Sequence, residues 1–142
     1  MPYSPLLVRP MREELTSIGV QELTTAAQVD EWMNEKSGTA LLVINSVCGC
    51  AAGMARPGVR MALESGTKPD RVATVFAGQD LEATARARAH IADIPPSSPS
   101  MAFFKDGELV YFLPRHRIEG RSADQVAADL TSVIAEHSSV AA

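Results

Sequence analysis

The sequence predicts an α/β protein: a mixed central β-sheet flanked by helices, with an N-terminal helical extension. Three features carry that expectation. The apolar run Ala40-Leu41-Leu42-Val43-Ile44 has no polar face, as a central strand covered on both sides requires. Strand-like and helix-like stretches alternate through the middle of the chain, and strands separated in this way pair in parallel through helical crossovers. Further on, Lys105-Asp106-Gly107 stands between two apolar runs, a hairpin signal that adds antiparallel strands.

Taken in order, residues 1–10 hold three prolines and are expected to form an extended, poorly ordered arm. A short helix over 11–18, closed by Gly19, and an edge strand over 20–23 follow. Arm and helix make residues 1–19 the N-terminal part of a single domain expected to span 1–142. Thr25 and Gln28 have the spacing of a capping box, and Ala26, Val29, Trp32 and Met33 share a face, so a helix is expected over 25–36. After the strand at 39–45 comes an alanine-rich helix over 51–64, in which Pro57 should cause a kink at 56–58. The β-branched alternation of 71–77 gives the next strand, ended by Gly78. Asp80 is placed to cap a helix reaching about Ala92, with Leu81, Ala85, Ala89 and Ala92 inward and Arg86, Arg88 and His90 on a solvated face. A proline–serine loop, 94–99, leads into hairpin strands at 100–104 and 108–113. Ser122 and Gln125 form a second capping box, and Ala123, Val126, Ala127, Leu130 and Ile134 trace the inner face of a closing helix.

Composition narrows the function. A chain of 142 residues with 46% hydrophobic content can bury a core without disulfide staples. Its net charge of −4, from 17 acidic residues against 13 Lys and Arg, argues against a nucleic-acid partner. No window approaches a membrane-spanning length, and the first residues lack the charged and apolar regions of a signal peptide, so a cytoplasmic location away from membranes is expected. In a reducing compartment, two neighbouring cysteines are expected to cycle or to handle metal rather than form a structural disulfide.

Those cysteines, Cys48 and Cys50, are the only two in the chain and flank a single glycine, Gly49. They fall where the apolar strand hands over to the alanine-rich helix. Unsatisfied amides and the positive dipole end at a helix N-terminus favour a thiolate there. Inert burial is the alternative for any cysteine. A zinc site would need four ligands, and His90, His116 and His137 are not spaced to complete one, so no resident metal and no cofactor are expected. Transport of a soft ion such as Cu(I) by the two thiols remains a rival reading.

Strand, cysteines, kinked helix, proline loop and hairpin, in this order, resemble the thioredoxin fold. Pro99, separated by five residues from Lys105-Asp106-Gly107, matches the cis-proline of that fold, which implies that Ser98 and Pro99 border the substrate. The pattern Asn45-Ser46-Val47-Cys48-Gly49-Cys50-Ala51, with Pro96-Ser97-Ser98-Pro99-Ser100 and the segment 114–121, is similar to the bacilliredoxin family. That resemblance implies a thiol–disulfide oxidoreductase in which Cys48 takes bacillithiol, or a similar low-molecular-weight thiol, from mixed disulfides on client proteins, with Cys50 as resolving thiol. Bacillithiol would be a co-substrate. General disulfide isomerase or reductase activity is the related reading. Cys48, Cys50, Gly49, Ser98 and Pro99 are the site residues so implied. Arg115, His116, Arg117 and Arg121 are further candidates for contacting the carboxylates of a bacillithiol-type ligand, with Glu119 as their local counter-charge.

Overall fold

The central strand β2 (Thr39–Asn45) is buried along its whole length, as its unbroken apolar run requires. In this computed structural model, which describes residues 2–138, Met1 and residues 139–142 of the expected domain lie outside the described residues. β2 pairs in parallel with β3 (Arg71–Phe76), which in turn pairs in parallel with the two-residue β1 (Gln21–Glu22). On its other side β2 meets β4 (Ser100–Lys105) antiparallel, and β5 (Glu108–Leu113) closes the hairpin. The order β1-β3-β2-β4-β5 is the expected mixed sheet.

Alternation along β2 divides the core. Leu41 and Val43 join Met101 and Phe103 under α3 (Arg56–Glu64) and α5 (Ala123–His137). Leu42 and Ile44 face α2 (Ala26–Asn34) and α4 (Leu81–Ala89) through Val29, Trp32, Ala83 and Ala87. The two helices on the first face touch closely: a Cβ at Gly58 of α3 would lie 2.7 Å from Val126 Cγ1 of α5. A glycine is what permits that approach.

The N-terminal segment departs from expectation. Helix α1 runs Pro5–Thr16 rather than starting at residue 11, with Ser4 capping Leu6 and Pro5 in the first turn, where its missing N–H costs nothing. Pro10 sits inside the helix, and Val8 and Leu15 point into the core. Arg12 fixes α1 by donating to Glu22 and to Asp80, 2.7 Å each. Nor is the segment ahead of α1 a loose arm: the Tyr3 amide donates to Gln79 Oε1 at 2.7 Å, and Gln79 Nε2 donates back to the Tyr3 carbonyl at 3.1 Å.

Smaller corrections have local causes. Thr25 accepts from the Gln28 amide, but the Gln28 side chain reaches Thr24, so only half of that capping box forms. The box at Ser122 and Gln125 is complete. Asp80 occupies the N-cap of α4 without capping it, because Arg12 holds its carboxylate. The inner face of α4 is Ala83, Thr84 and Ala87, continued by Ile91, while Leu81, Ala85, Ala89 and Ala92 are exposed. Alternating alanine and arginine give that helix two alanine ridges, and only Ile91 distinguishes them.

Candidate active site

The end of β2 builds the thiol loop through a chain of short contacts. Asn45 Oδ1 accepts from the Ser46 amide at 2.8 Å, and Ser46 Oγ accepts from the Cys48 amide at 3.0 Å. The Cys48 carbonyl then accepts from Ala51 at 2.9 Å and Ala52 at 3.2 Å, starting the helix beneath the cysteines. Its first stretch, Ala51–Ala55, is a π-turn, closed by the Arg56 amide donating to Ala51. Pro57 cannot donate to the preceding turn, and the widened turn absorbs the mismatch, so the expected break lies just ahead of 56–58.

Arg56 is only 2% exposed and binds the loop from below. Its NH1 donates to Asn45 Oδ1 at 3.0 Å and to the Ser46 carbonyl at 2.8 Å, and its Nε donates to Glu14 of α1 at 2.8 Å. Nothing in the sequence reading marked it. The available signal was helical phase: Arg56 lies on the stripe of Val59 and Leu63, which are buried.

The two sulfurs lie 2.7 Å apart as free thiols and differ in environment. Cys48 is half-buried, whereas Cys50 is buried. The Cys48 thiol is held below the ordinary thiol range, first by the hydrogen bond from Cys50, then by the Cys50 amide and the positive charge of Arg115, against the opposing effect of burial. Cys50 is pushed up, first by burial and then by Cys48 itself. The pair therefore favours a Cys48 thiolate accepting from a Cys50 S–H.

Gly49 between them is exposed, has no left-handed φ, and a Cβ added to it would meet no atom within 4 Å. Neither packing nor backbone demands glycine in the dithiol state. Gly49→Ala is accordingly expected to leave the stability of the reduced protein within about 1 kcal/mol of the parent. Closure of the small Cys48–Cys50 ring is where alanine should tell: its equilibrium with a dithiol buffer should shift about tenfold toward the reduced form, roughly 30 mV. An unchanged equilibrium constant would show that glycine has no role in ring closure.

A cavity of about 320 Å³ opens beside Cys48, bounded by Tyr3, Gly78, Arg88, Ser98 and Arg115. Ser98 therefore shares this cavity with Cys48. Pro99 is buried behind it, and the Ser98–Pro99 peptide is cis. Arg115 is the one member of its loop at this cavity; its amide donates to Ser97 Oγ at 3.3 Å. His116 and Arg117 instead line a separate hollow of about 500 Å³ with Ile94, Pro95 and Phe112. Arg121 and Arg117 are committed to Asp129, at 2.7 and 3.5 Å. His90 contacts Asp30, and His137 lies against Phe103, both away from the cysteines. Among the described residues no three His, Cys, Asp or Glu side chains gather as metal ligands, and no helix is long and apolar enough to cross a membrane.

Tyr3 and Arg88 were assigned elsewhere by the sequence, the first to a disordered arm and the second to a solvated helix face. A signal existed for Arg88 alone: it shares a helical stripe with the buried Thr84 and Ile91.

Comparison with known proteins adds to this geometry. The model of a family described as disulphide isomerase matches residues 3–138. A bacilliredoxin of Koribacter versatilis is 51% identical over 135 residues, 95% of this chain and 93% of its own. Bacilliredoxins of Cytophaga hutchinsonii and Salinibacter ruber are 54% and 57% identical, over 94% and 92% of this chain and 98% and 78% of theirs. Among solved structures, Fasciola hepatica thioredoxin superposes with a TM-score of 0.59 at 22% identity, over 83% of this chain and 99% of its own. Mitochondrial thioredoxin 3 of Saccharomyces cerevisiae does so with 0.57 at 15%, over 87% and 98%. The fold is that of thioredoxin.

Proposed function

Because the chain belongs to the bacilliredoxin family and is a thiol–disulfide oxidoreductase, we propose that it removes bacillithiol, or a similar low-molecular-weight thiol, from mixed disulfides on client proteins. The observation that supports this most is the asymmetry of the two sulfurs: an accessible Cys48 held below the ordinary thiol range, and a buried Cys50 held above it.

Cys48 as thiolate attacks the bacillithiol sulfur of the client mixed disulfide. A Cys48–bacillithiol disulfide forms, and the client sulfur leaves as thiolate with the electron pair of the broken bond. Resolution then takes one of two routes. Cys50 deprotonates and attacks Cys48 sulfur, closing a Cys48–Cys50 disulfide and releasing bacillithiol thiolate, or a second bacillithiol attacks the adduct and leaves as bacillithiol disulfide. The first route oxidises the protein by two electrons, which a thiol reductant must return. Bacillithiol is a co-substrate in both, no bound cofactor is required, and a reducing cytoplasm is the compartment that suits the cycle. Ser98 and Pro99 border the path by which the client sulfur approaches, and Gly49 leaves the face above the thiols open.

The test is intact-mass analysis after incubation with a bacillithiol-modified client. Cys50→Ser should gain one bacillithiol as the client is freed, whereas the wild type should pass through that adduct to its own disulfide. The matched family's description favours a second reading, general disulfide isomerisation. If no adduct accumulates on Cys50→Ser while the wild type reshuffles a scrambled protein, that reading replaces the first.

A further inference from the structure

Every arginine of the chain but one has an ion-pair or hydrogen-bond partner among the described residues. The exception is Arg88. It is half-buried, its Nε is wholly shielded from solvent with no partner, and it stands in the wall of the Cys48 cavity. A partly buried guanidinium without a counter-charge is poorly compensated, and an anion in the cavity would supply the missing partner. Burial indeed pushes the Arg88 pKa down, the direction expected of a cation lacking a counter-ion.

The same cavity holds a second guanidinium. Arg115 is only loosely engaged: Glu119 lies 3.4 Å away on an exposed stretch of surface, and the Ser98 carbonyl is 3.5 Å distant. Among the described residues no aspartate or glutamate lines the cavity. Its volume of about 320 Å³ suits a small molecule rather than a segment of folded protein. Gln79 holds Tyr3 by its backbone, which fixes the far wall.

We propose that Arg88 and Arg115 form a two-armed carboxylate clamp in the Cys48 cavity, which seats the small-thiol half of a mixed disulfide and so selects which of its sulfurs Cys48 attacks. This rests on the thiol-removal reading above and assigns its specificity. With the anionic small thiol in the clamp, its sulfur meets the Cys48 thiolate, the new bond is Cys48 to small thiol, and the client sulfur departs with the electron pair. Attack at the other sulfur would join Cys48 to the client and release the small thiol. The positive arms also offset repulsion between an incoming carboxylate and the thiolate.

The probes are two mixed disulfides of one peptide, one with mercaptosuccinate, a dicarboxylate, and one with 2-mercaptoethanol, which is neutral. Arg88→Gln should lower kcat/KM for the mercaptosuccinate adduct about tenfold, mainly through KM, because an interaction present in both bound and transition states is removed. The 2-mercaptoethanol adduct should react within about twofold of the wild-type rate, and Arg88→Lys should recover part of the loss. Mass analysis on a Cys50→Ser background should show the share of Cys48 joined to peptide rising when Arg88 is replaced. Equal slowing of both substrates, or slowing of neither, overturns the clamp. If the wild type turns over neither adduct, the thiol-removal reading falls, and binding of S-methyl mercaptosuccinate followed by NMR decides the clamp independently. Binding lost in Arg88→Gln supports it; equal binding by both proteins overturns it.

Discussion

Cys48→Ser should lose thiol transfer by more than about a thousandfold, because a serine hydroxyl stays protonated where a thiolate is needed. The wild-type rate should carry a matching pH signature. The Cys48 pKa is lowered in the folded protein, so the reactive thiolate persists at pH values where an ordinary thiol is protonated. The pseudo-first-order rate should therefore rise with pH to a plateau whose midpoint lies below the ordinary thiol range, and fall away only on acidification through that midpoint. Arg115→Gln should move the midpoint upward, since its charge is one of the causes holding it down. A midpoint at the value of a free thiol would defeat the assignment of Cys48. The same pairing suggests how the second cysteine takes its turn. Once Cys48 is tied up in an adduct, its charge no longer holds the Cys50 proton, and burial with the negative charge of Glu119 is what still raises that pKa, against Arg115.

The second large effect concerns the loop's foundation. Arg56→Met keeps most of the buried volume but deletes the donors to Asn45, Ser46 and Glu14. Glu14 is half exposed, so the ion pair itself counts for little, whereas the Ser46 carbonyl is left without that donor in a buried setting. A loss of about 2–4 kcal/mol is expected, read as a lower urea midpoint at unchanged m-value. A change below about 0.5 kcal/mol would show that the buried arginine contributes packing only.

The sheet was legible because its signals are periodic and local. The all-apolar β2, the Asp106-Gly107 turn and the cap at Ser122 each need only a few neighbouring residues to be recognised. The cysteines were equally plain, being two residues of a rare type in one place. What escaped depends on partners far away in sequence. Pro5 and Pro10 suggest a broken arm until Ser4 caps the helix and Arg12 anchors it to Glu22 and Asp80. Charge alone places Arg56 and Arg88 at the surface, and only the folded chain reveals that one is saturated with acceptors and the other has none among the described residues. His116 and Arg117 follow Arg115 directly, yet a single turn of 3₁₀ helix, Arg115–Arg117, sends them to a different hollow.

Gly58, which lets α3 approach α5 so closely, and Arg56, fastened beneath the cysteines, tie the nucleophile to the least adjustable part of the molecule. The opposite wall of the cavity is contributed by Arg88 of α4 and by connecting segments at Tyr3, Gly78 and Ser98. Chemistry and selectivity are thus divided between material that resists substitution and material that tolerates it. Such a division makes the scaffold evolvable: a laboratory lineage could be steered toward a bulkier thiol through the loops, or a differently charged one through Arg88 and Arg115, while the reacting sulfurs keep their setting.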